Sequence, residues 1–302
     1  MSLSVKLPDG SQKNYPEAVS ASEIAGELSR SLAKKAVAAK VNGRTVDLSL
    51  PLEGDIDLEL LTFEDEDGKT VFRHSSSHIL AQAVQKLFPG TLLGIGPAIK
   101  DGFYYDFDSS HIFTQDDFAA IEKEMSAIVK ANLPFVREEL SREKALALFD
   151  AKGEKYKLEL INDLPEDAAI SIYQQGDYID LCAGPHLPAT GMVKAIKIMS
   201  VAGAYWRGNE KNKMLQRIYA TSFADKKELA DYLFRMEEAK KRDHRKLGAE
   251  LGLFVFMDEG PGFPFFLPKG MILRNQLEKF WREEHEKWNY LEIKTPMMLN
   301  RK

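Results

Sequence analysis

The chain has 302 residues, 44% hydrophobic and 29% charged, with a formal net charge of −5 at pH 7. These values exclude long disorder and predict two or three domains at roughly 100–200 residues each. The acidic balance argues against a protein that coats nucleic acid indiscriminately, while a local basic face for RNA stays open. The first residues, Met1 to Gly10, lack the basic and apolar regions of a secretion signal, and no apolar run approaches the ~18 residues of a membrane span. A single cysteine, Cys182, rules out an intrachain disulfide and fits a reducing compartment. The expectation is a cytoplasmic protein with no membrane partner.

Residues 1–62 read as a self-contained module. A short strand from Ser4 to Leu7 turns at Pro8-Asp9-Gly10, and Ser20-Ala-Ser-Glu23 has the capping-box pattern that starts a helix. Ala36 to Val41 and Thr45 to Leu48, joined at Asn42-Gly43, read as a hairpin, and Asp55 to Leu61 alternates as a half-buried strand does. A small mixed sheet closed by one helix is expected. The charged, glycine-ended run Glu64 to Gly68 has no apolar period and reads as a linker.

The largest unit follows. A helix is predicted from Arg73 to Phe88, stopping at Pro89-Gly90. At ~100° per residue, Ile79, Leu80, Ala83, Val84, Leu87 and Phe88 form its apolar stripe, and His74 and His78 fall on the other side, off the buried stripe. Next come a glycine-rich turn at Gly94-Ile-Gly96-Pro97, the aromatic strand Phe103 to Phe107, a helix from Gln115 to Ala131 and another over Ser141 to Asp150. Lys157 follows the glycine-preceded stretch from Gly153, read as extended, and a strand leads into Asp180. The order is α+β.

Asp225 to Lys246 read as one continuous helix, in which residues 226–246 carry eight Lys or Arg against five acids. That basic run suits either a solvated connector or an RNA contact. A helix over Met271 to Trp288 and a strand over Tyr290 to Pro296 follow, and the last sixty residues read as the start of a domain that continues past Lys302.

The chemistry concentrates in two short runs, His74-Ser-Ser-Ser-His78 and Asp180-Leu-Cys182-Ala-Gly-Pro-His186. Histidines four apart on a helix, with Cys182 and His186 in a loop that Gly184-Pro185 keeps from being helical, form a His₃Cys set. Zinc accepts such ligands; so does a metal-free hydrolytic site built around a water; and unrelated structural positions give the same spacing. Asp180 and Cys182, two apart on an extended backbone, project to one side, where the carboxylate can orient a histidine. Lys157 suits either a charge beside a developing oxyanion or a solvated surface position. Cys182 as a covalent nucleophile is the weaker reading beside an activated water. Of Tyr104 and Tyr105, one packs inward, either as core or as a pocket wall.

Several longer motifs accompany these residues: Arg73 to His78, Ile95-Gly-Pro97 with Gly102-Phe-Tyr-Tyr-Asp106, Cys182 to His186, Ala202 to Gly208, Asn212 to Tyr219 and Lys241 to Lys246. Together they give a chain that closely resembles the N-terminal half of bacterial-type threonyl-tRNA synthetases over nearly its whole length. The resemblance implies a fold of α+β class in several domains: a ubiquitin-like β-grasp (TGS) domain over 1–62, an editing domain over 63–224, a linker helix over 225–242 and a truncated class II catalytic start over 243–302. Asn289 stands where such a start often has glycine.

The resemblance further implies hydrolysis of mischarged Ser-tRNA(Thr). His74 would activate or place the water, Asp180 and His186 would hold the site, and Lys157 would orient a water or the ribose hydroxyl. His78 and Cys182 would complete the floor, with Tyr105, Gly96 and Pro97 against the substrate. No cofactor or metal is implied for this editing, the alternative being a zinc ion on His74, His78, Cys182 and His186. The full-length enzymes use ATP with Mg²⁺ and a catalytic-domain Zn²⁺, act on tRNA(Thr) and form homodimers; those later parts would lie beyond Lys302, so this chain is not expected to charge tRNA. Serine and threonine differ by one methyl, which a pocket converts into only ~1–3 kcal/mol of discrimination, so a second, hydrolytic site is a physical need.

Overall fold

A computed structural model describes residues 3–296, and the chain divides after Ala230 into two compact units. The first unit opens with β1 (Leu3–Lys6) and β2 (Gln12–Tyr15), then β3 (Val19–Ser20), α1 (Ala21–Leu28) and α2 (Arg30–Lys35). It continues with β4 (Ala38–Val41), β5 (Arg44–Val46), β6 (Pro51–Leu52) and β7 (Gly54–Leu61). The sheet order is β2-β1-β7-β4-β5, with β1 and β7 parallel at its centre and the helices supplying the crossover. The expected capping box is present: the Ser20 side chain accepts the Glu23 N–H and the Glu23 carboxylate accepts the Ser20 N–H. Asn42 and Gly43 both have positive φ, 48° and 82°, as a tight hairpin turn of this kind requires. Leu3, Val5, Ile24, Leu48, Ile56 and Leu58 fill the module's core.

No linker follows. α3 spans Glu66–Leu87 and begins seven residues before the expected start at Arg73. Glu66 and Asp67 favour the positive end of the helix dipole, and Asp65 accepts the N–H of Thr62 just ahead of it. Gly68, read from sequence as a linker residue, is a packing requirement: a Cβ there would lie 1.9 Å from the Thr62 carbonyl oxygen. Val71 and Phe72 on these first turns share one core with Val37, Ala38 and Leu61 of the β-grasp module. The charged run is therefore the first turn of a helix clamped onto the preceding domain.

The sequence places the histidines off the buried stripe, yet α3 is buried nearly all round. Ser75, Ser76, Ser77 and His78 are as enclosed as Ile79, Leu80, Ala83 and Val84. The serines make this possible by donating their hydroxyls to the helix backbone at Val71, Phe72 and His74. After α3 come β8 (Leu92–Leu93), β9 (Ala98–Ile99), β10 (Gly102–Asp108) and, past a 3₁₀ turn at Gln115–Asp117, α4 (Phe118–Ala131). β11 (Val136–Leu140), α5 (Arg142–Ala151) and α6 (Lys155–Asn162) lead to the hairpin β12 (Ile170–Gln175) and β13 (Tyr178–Leu181). A long hairpin, β14 (Ala195–Tyr205) and β15 (Met214–Phe223), completes the main sheet in the order β14-β15-β10-β8, with β9 on β10. A second sheet runs β11-β12-β13. The stretch before Lys157 is thus helical from Lys155, where an extended segment was expected.

The expected continuous helix of 225–246 is two helices. α7 (Lys226–Lys241) ends where Asp243, with ψ 119°, turns the chain and caps α8 (His244–Glu250) by accepting the Arg245 N–H. Several of its basic side chains pair with local acids: Lys241 with Glu237 and Glu238, Arg242 with Glu238, Arg245 with Asp243. The second unit adds the hairpin β16 (Phe254–Phe256) and β17 (Pro264–Phe266), then α9 (Pro268–Lys287), which Pro268 starts from its first turn. Residues 290–296, expected as a strand, have no regular structure, and Leu291 is 91% exposed; among the described residues no strand pairs with this segment. No described helix is long and apolar enough to cross a membrane.

Two glycine substitutions test this packing in opposite directions. Gly68→Ala drives a Cβ into the Thr62 carbonyl and is expected to destabilise the chain by about 2 kcal/mol or more in urea titrations. Gly26→Ala, on α1 with nothing within 4 Å of the new Cβ, should stabilise it by about 0.5–1 kcal/mol.

Candidate active site

The six residues singled out by sequence converge. α3 supplies His74 and His78, β13 supplies Asp180, the loop after it supplies Cys182 and His186, and α6 supplies Lys157. One ligand-capable atom from each of His74, His78, Cys182 and His186 lies within 4.8 Å of the others. The Cys182 sulfur is 3.4 Å from His74 Nε2 and 3.3 Å from His186 Nε2. The loop reaches this position through Gly184, at φ +71° with a cis bond to Pro185; a Cβ on Gly184 would lie 1.9 Å from the Tyr173 hydroxyl.

Hydrogen counting sets the tautomer of His186. Ser75 Oγ donates to the Val71 carbonyl at 2.9 Å, accepts the Leu187 N–H at 2.9 Å and lies 3.0 Å from His186 Nδ1. With its one proton committed to Val71, the hydroxyl accepts from Nδ1–H, so Nε2 carries the lone pair that faces the Cys182 thiol. The thiol then donates to His186, and the Gly184 N–H donates to the sulfur at 3.2 Å.

Behind the histidines lies a buried ion pair. Lys157 and Asp180 are each 2% exposed, with Nζ 2.6 Å from Oδ1. Lys157 also donates to the Gly94 carbonyl at 2.8 Å and to the Tyr105 hydroxyl at 3.1 Å, which occupies its three hydrogens. Asp180 Oδ2 accepts Tyr105 at 2.5 Å and Tyr178 at 3.0 Å, and faces His78 Nε2 at 3.7 Å. Glu154 aims α6 inward by accepting the Leu93 N–H and the Gln85 amide.

The charge states follow from this setting. Burial would raise Asp180, but Lys157, His78 and the hydrogen bonds outweigh it and hold the carboxyl below its ordinary value. Burial, and then the charge of Asp180, push Tyr105 and Tyr178 well upward, so both remain donors. Burial lowers His74 to about 4 and His78 to about 3 despite the opposing charge of Asp180, and it lowers His186 well below the usual range. It pushes the Cys182 thiol up to about 12. At neutral pH the centre is three neutral imidazoles and a neutral thiol backed by a compensated carboxylate.

An opening of about 270 Å³ lies over one edge of the cluster, lined by His74, Thr70, Pro97, Ala98, Gly184 and Pro185. Of the expected substrate contacts, Pro97 borders it. Tyr105 does not, because β10 turns it into the core against Asp180; Gly96 packs so tightly on the Tyr105 ring that a Cβ would come within 2.2 Å. Lys157 is likewise enclosed. Sequence reasoning missed Ser75, although it sits inside the histidine motif, and Tyr178, which shares the face of β13 with Asp180. It also missed Tyr173, for which no local signal exists.

The donor set fits a divalent metal in type and number. The 3.3 and 3.4 Å separations about the sulfur approach the edge of about 3.5 Å expected for tetrahedral zinc. His186 has the outer hydrogen bond that orients a ligating imidazole, and His78 Nδ1 has no partner among the described residues.

The β-grasp module and the α+β domain that carries this buried histidine, cysteine and carboxylate centre each match a known family. Residues 3–62 match the family described as the TGS domain, and residues 170–219 match the threonyl and alanyl tRNA synthetase second additional domain. The chain is 64% identical over 299 residues to a threonine–tRNA ligase of Syntrophomonas wolfei subsp. wolfei, covering 99% of this chain and 47% of that protein. Threonine–tRNA ligases of Desulforamulus reducens and Carboxydothermus hydrogenoformans are 61% and 57% identical, with the same coverage. The chain spans about half the length of the curated relatives it matches, and over that span it is similar to threonine–tRNA ligases.

The depressed histidines make stability depend on pH. The unfolded chain takes up protons as pH falls below about 6.5, whereas folded His74 and His78 resist protonation until about 4 and about 3. Their contribution is complete above pH 6.5 and is lost as pH falls toward those lower values. Urea titrations at pH 7.5 and 5.0 should differ by about 2 kcal/mol for each enclosed histidine, and His78→Gln should reduce the difference.

Proposed function

We propose that the first unit hydrolyses the aminoacyl ester of Ser-tRNA(Thr), releasing serine and intact tRNA. The observation that carries this reading is the convergence of His74, His78, Asp180, Cys182 and His186 beside an opening that His74 lines. The ester joins serine to a ribose hydroxyl at the 3′ end, and that end enters the opening past Pro97 and Pro185.

Neutral His74 accepts a hydrogen bond from a water and aims its lone pair at the ester carbonyl. A base lowered to about 4 does not hold a proton for long at neutral pH. The proton leaving the water therefore passes on to the ribose oxygen as the carbon–oxygen bond breaks, with His74 as relay. Cys182 and His186 fix the rim around His74, and Asp180 holds the His78 side through Lys157, Tyr105 and Tyr178. Lys157, with its hydrogens engaged, acts by keeping Asp180 ionised. Steric exclusion of the extra methyl of threonine supplies the selectivity, within the ~1–3 kcal/mol available to such a contact.

A second reading is favoured by the His₃Cys geometry alone: a zinc ion held by His74, His78, Cys182 and His186 would supply Lewis-acid activation for the same ester. The resemblance to threonine–tRNA ligases also supports a wider assignment: a longer enzyme, dimeric and cytoplasmic, that joins threonine to tRNA(Thr) with ATP and Mg²⁺ and has a further Zn²⁺ in a class II catalytic domain begun by residues 243–302.

The experiment is deacylation of Ser-tRNA(Thr) and Thr-tRNA(Thr) side by side, with and without a chelator, on untagged protein assayed for metal. The expected outcome is serine release at least 10-fold faster than threonine release, insensitive to chelation. A His74→Ala, His78→Ala double variant should lose about 10²–10⁴-fold in rate. An unchanged rate in that variant overturns the hydrolytic assignment, while stoichiometric zinc and chelator sensitivity replace the metal-free mechanism.

A further inference from the structure

Asp47 belongs to none of the sequence motifs. It follows β5 in the β-grasp module, yet its carboxylate reaches the centre just described. Oδ1 accepts the backbone N–H of His186 at 2.7 Å, and Oδ2 accepts the hydroxyl of Tyr173 at 2.6 Å. Tyr173 is fully buried on β12 and turns its ring edge toward the His186 imidazole, with centroids 4.3 Å apart. Its hydroxyl occupies the space that any side chain on Gly184 would need. One carboxylate therefore holds the Gly184–His186 turn twice, through the backbone and through the ring packed against it.

The other contacts of His186 show what Asp47 adds. Phe135 stacks on the imidazole with centroids 5.1 Å apart and planes 3° from parallel. Ser75 takes Nδ1, and Nε2 faces Cys182. These fix the ring's tilt and tautomer, and the N–H groups of Gly184 and Leu187 on either side are held by Cys182 and Ser75; the N–H of His186 itself is held by Asp47. A carboxylate accepting from a buried N–H and a phenol forms two charge-assisted bonds, shorter and stronger than neutral ones.

We infer that Asp47 is a positioning residue for the hydrolytic centre, so that the β-grasp module completes a site housed in its neighbour. It acts on the reaction through His186 and Cys182 and touches no substrate. The inference rests on the ester-hydrolase reading for its kinetic consequence, and on geometry alone for its structural one.

The test uses the whole chain with Asp47→Ala, Asp47→Asn, Tyr173→Phe and, as a control in the module's core, Ile56→Val. Two readouts are taken: single-turnover deacylation of Ser-tRNA(Thr) as a function of enzyme concentration, and amide hydrogen exchange over residues 182–187. Asp47→Ala is expected to slow the maximal rate 10–100-fold with half-saturation changed less than 3-fold, and to speed exchange of the His186 amide at least 10-fold. Asp47→Asn keeps an acceptor for the His186 N–H and should recover most of both, Tyr173→Phe should fall between, and Ile56→Val should leave both unchanged. Should Asp47→Ala fail to fold, Asp47→Asn and Tyr173→Phe must still rank in that order against wild type. A wild-type rate or unchanged His186 exchange in the Asp47 and Tyr173 variants overturns the inference, as does equal slowing by Ile56→Val. Inactive wild-type protein would instead refute the ester-hydrolase reading, and the exchange data would still decide whether Asp47 grips His186.

Discussion

The candidate site depends on a single interaction, the enclosed ion pair between Lys157 and Asp180. A carboxylate 2% exposed would protonate rather than stay charged unless a cation and several donors met it at close range. Here one ammonium and two phenols do so, and the four groups come from three elements, α6, β10 and β13. The pair therefore acts as a joint. It ties the main sheet to the second sheet and points a compensated negative charge at His78. Removing either partner would leave a buried charge unmatched, which in comparable settings costs about 3–5 kcal/mol.

The same enclosure explains why the histidines are neutral. His74, His78 and His186 crowd together; burial outweighs the attraction of Asp180 for a proton on His74 and His78, and on His186 burial and the two neighbouring histidines act in the same direction. A centre of this kind handles water by accepting hydrogen bonds rather than by storing protons. Cys182, its thiol pushed far above neutrality, serves as a donor to His186 and a fixed neighbour of His74. Shared hydrogen bonds brace the arrangement: Ser75 alone joins the helix backbone, the His186 ring and the loop beyond it.

Much of this was legible in the sequence where the signal was local. Histidines four apart on a helix, Cys182 and His186 four apart across a Gly-Pro turn, and Asp180 two before Cys182 are spacings that survive into three dimensions. The failures turn on contacts that spacing and periodicity do not show. Glu64 to Gly68 looks like a linker because nothing nearby shows the Thr62 carbonyl that Gly68 must pass. His74 and His78 fall off the apolar stripe because the elements that cover that side of α3 are invisible in periodicity. Lys157 taken by itself suits either a site or a solvated surface, because only the fold brings it to Asp180. Tyr105 looks like a pocket wall because strand alternation says which residue points inward, not what waits there. Residues 290–296 have the composition of a strand and lack a neighbour to pair with among the described residues.

The shared core of Val37, Ala38 and Leu61 with Val71 and Phe72 carries a last consequence. A β-grasp module joined to its neighbour by a loose tether could swing out and carry a ligand in. A module that donates part of its interior to the helix bearing His74 has no such freedom. Its reach is zero, and it behaves as masonry in the wall of the neighbouring chamber. Under the proposed ester hydrolysis, delivery would fall wholly to the nucleic acid: its flexible 3′ end would travel to a fixed address, whose accuracy is set by how little the wall can yield.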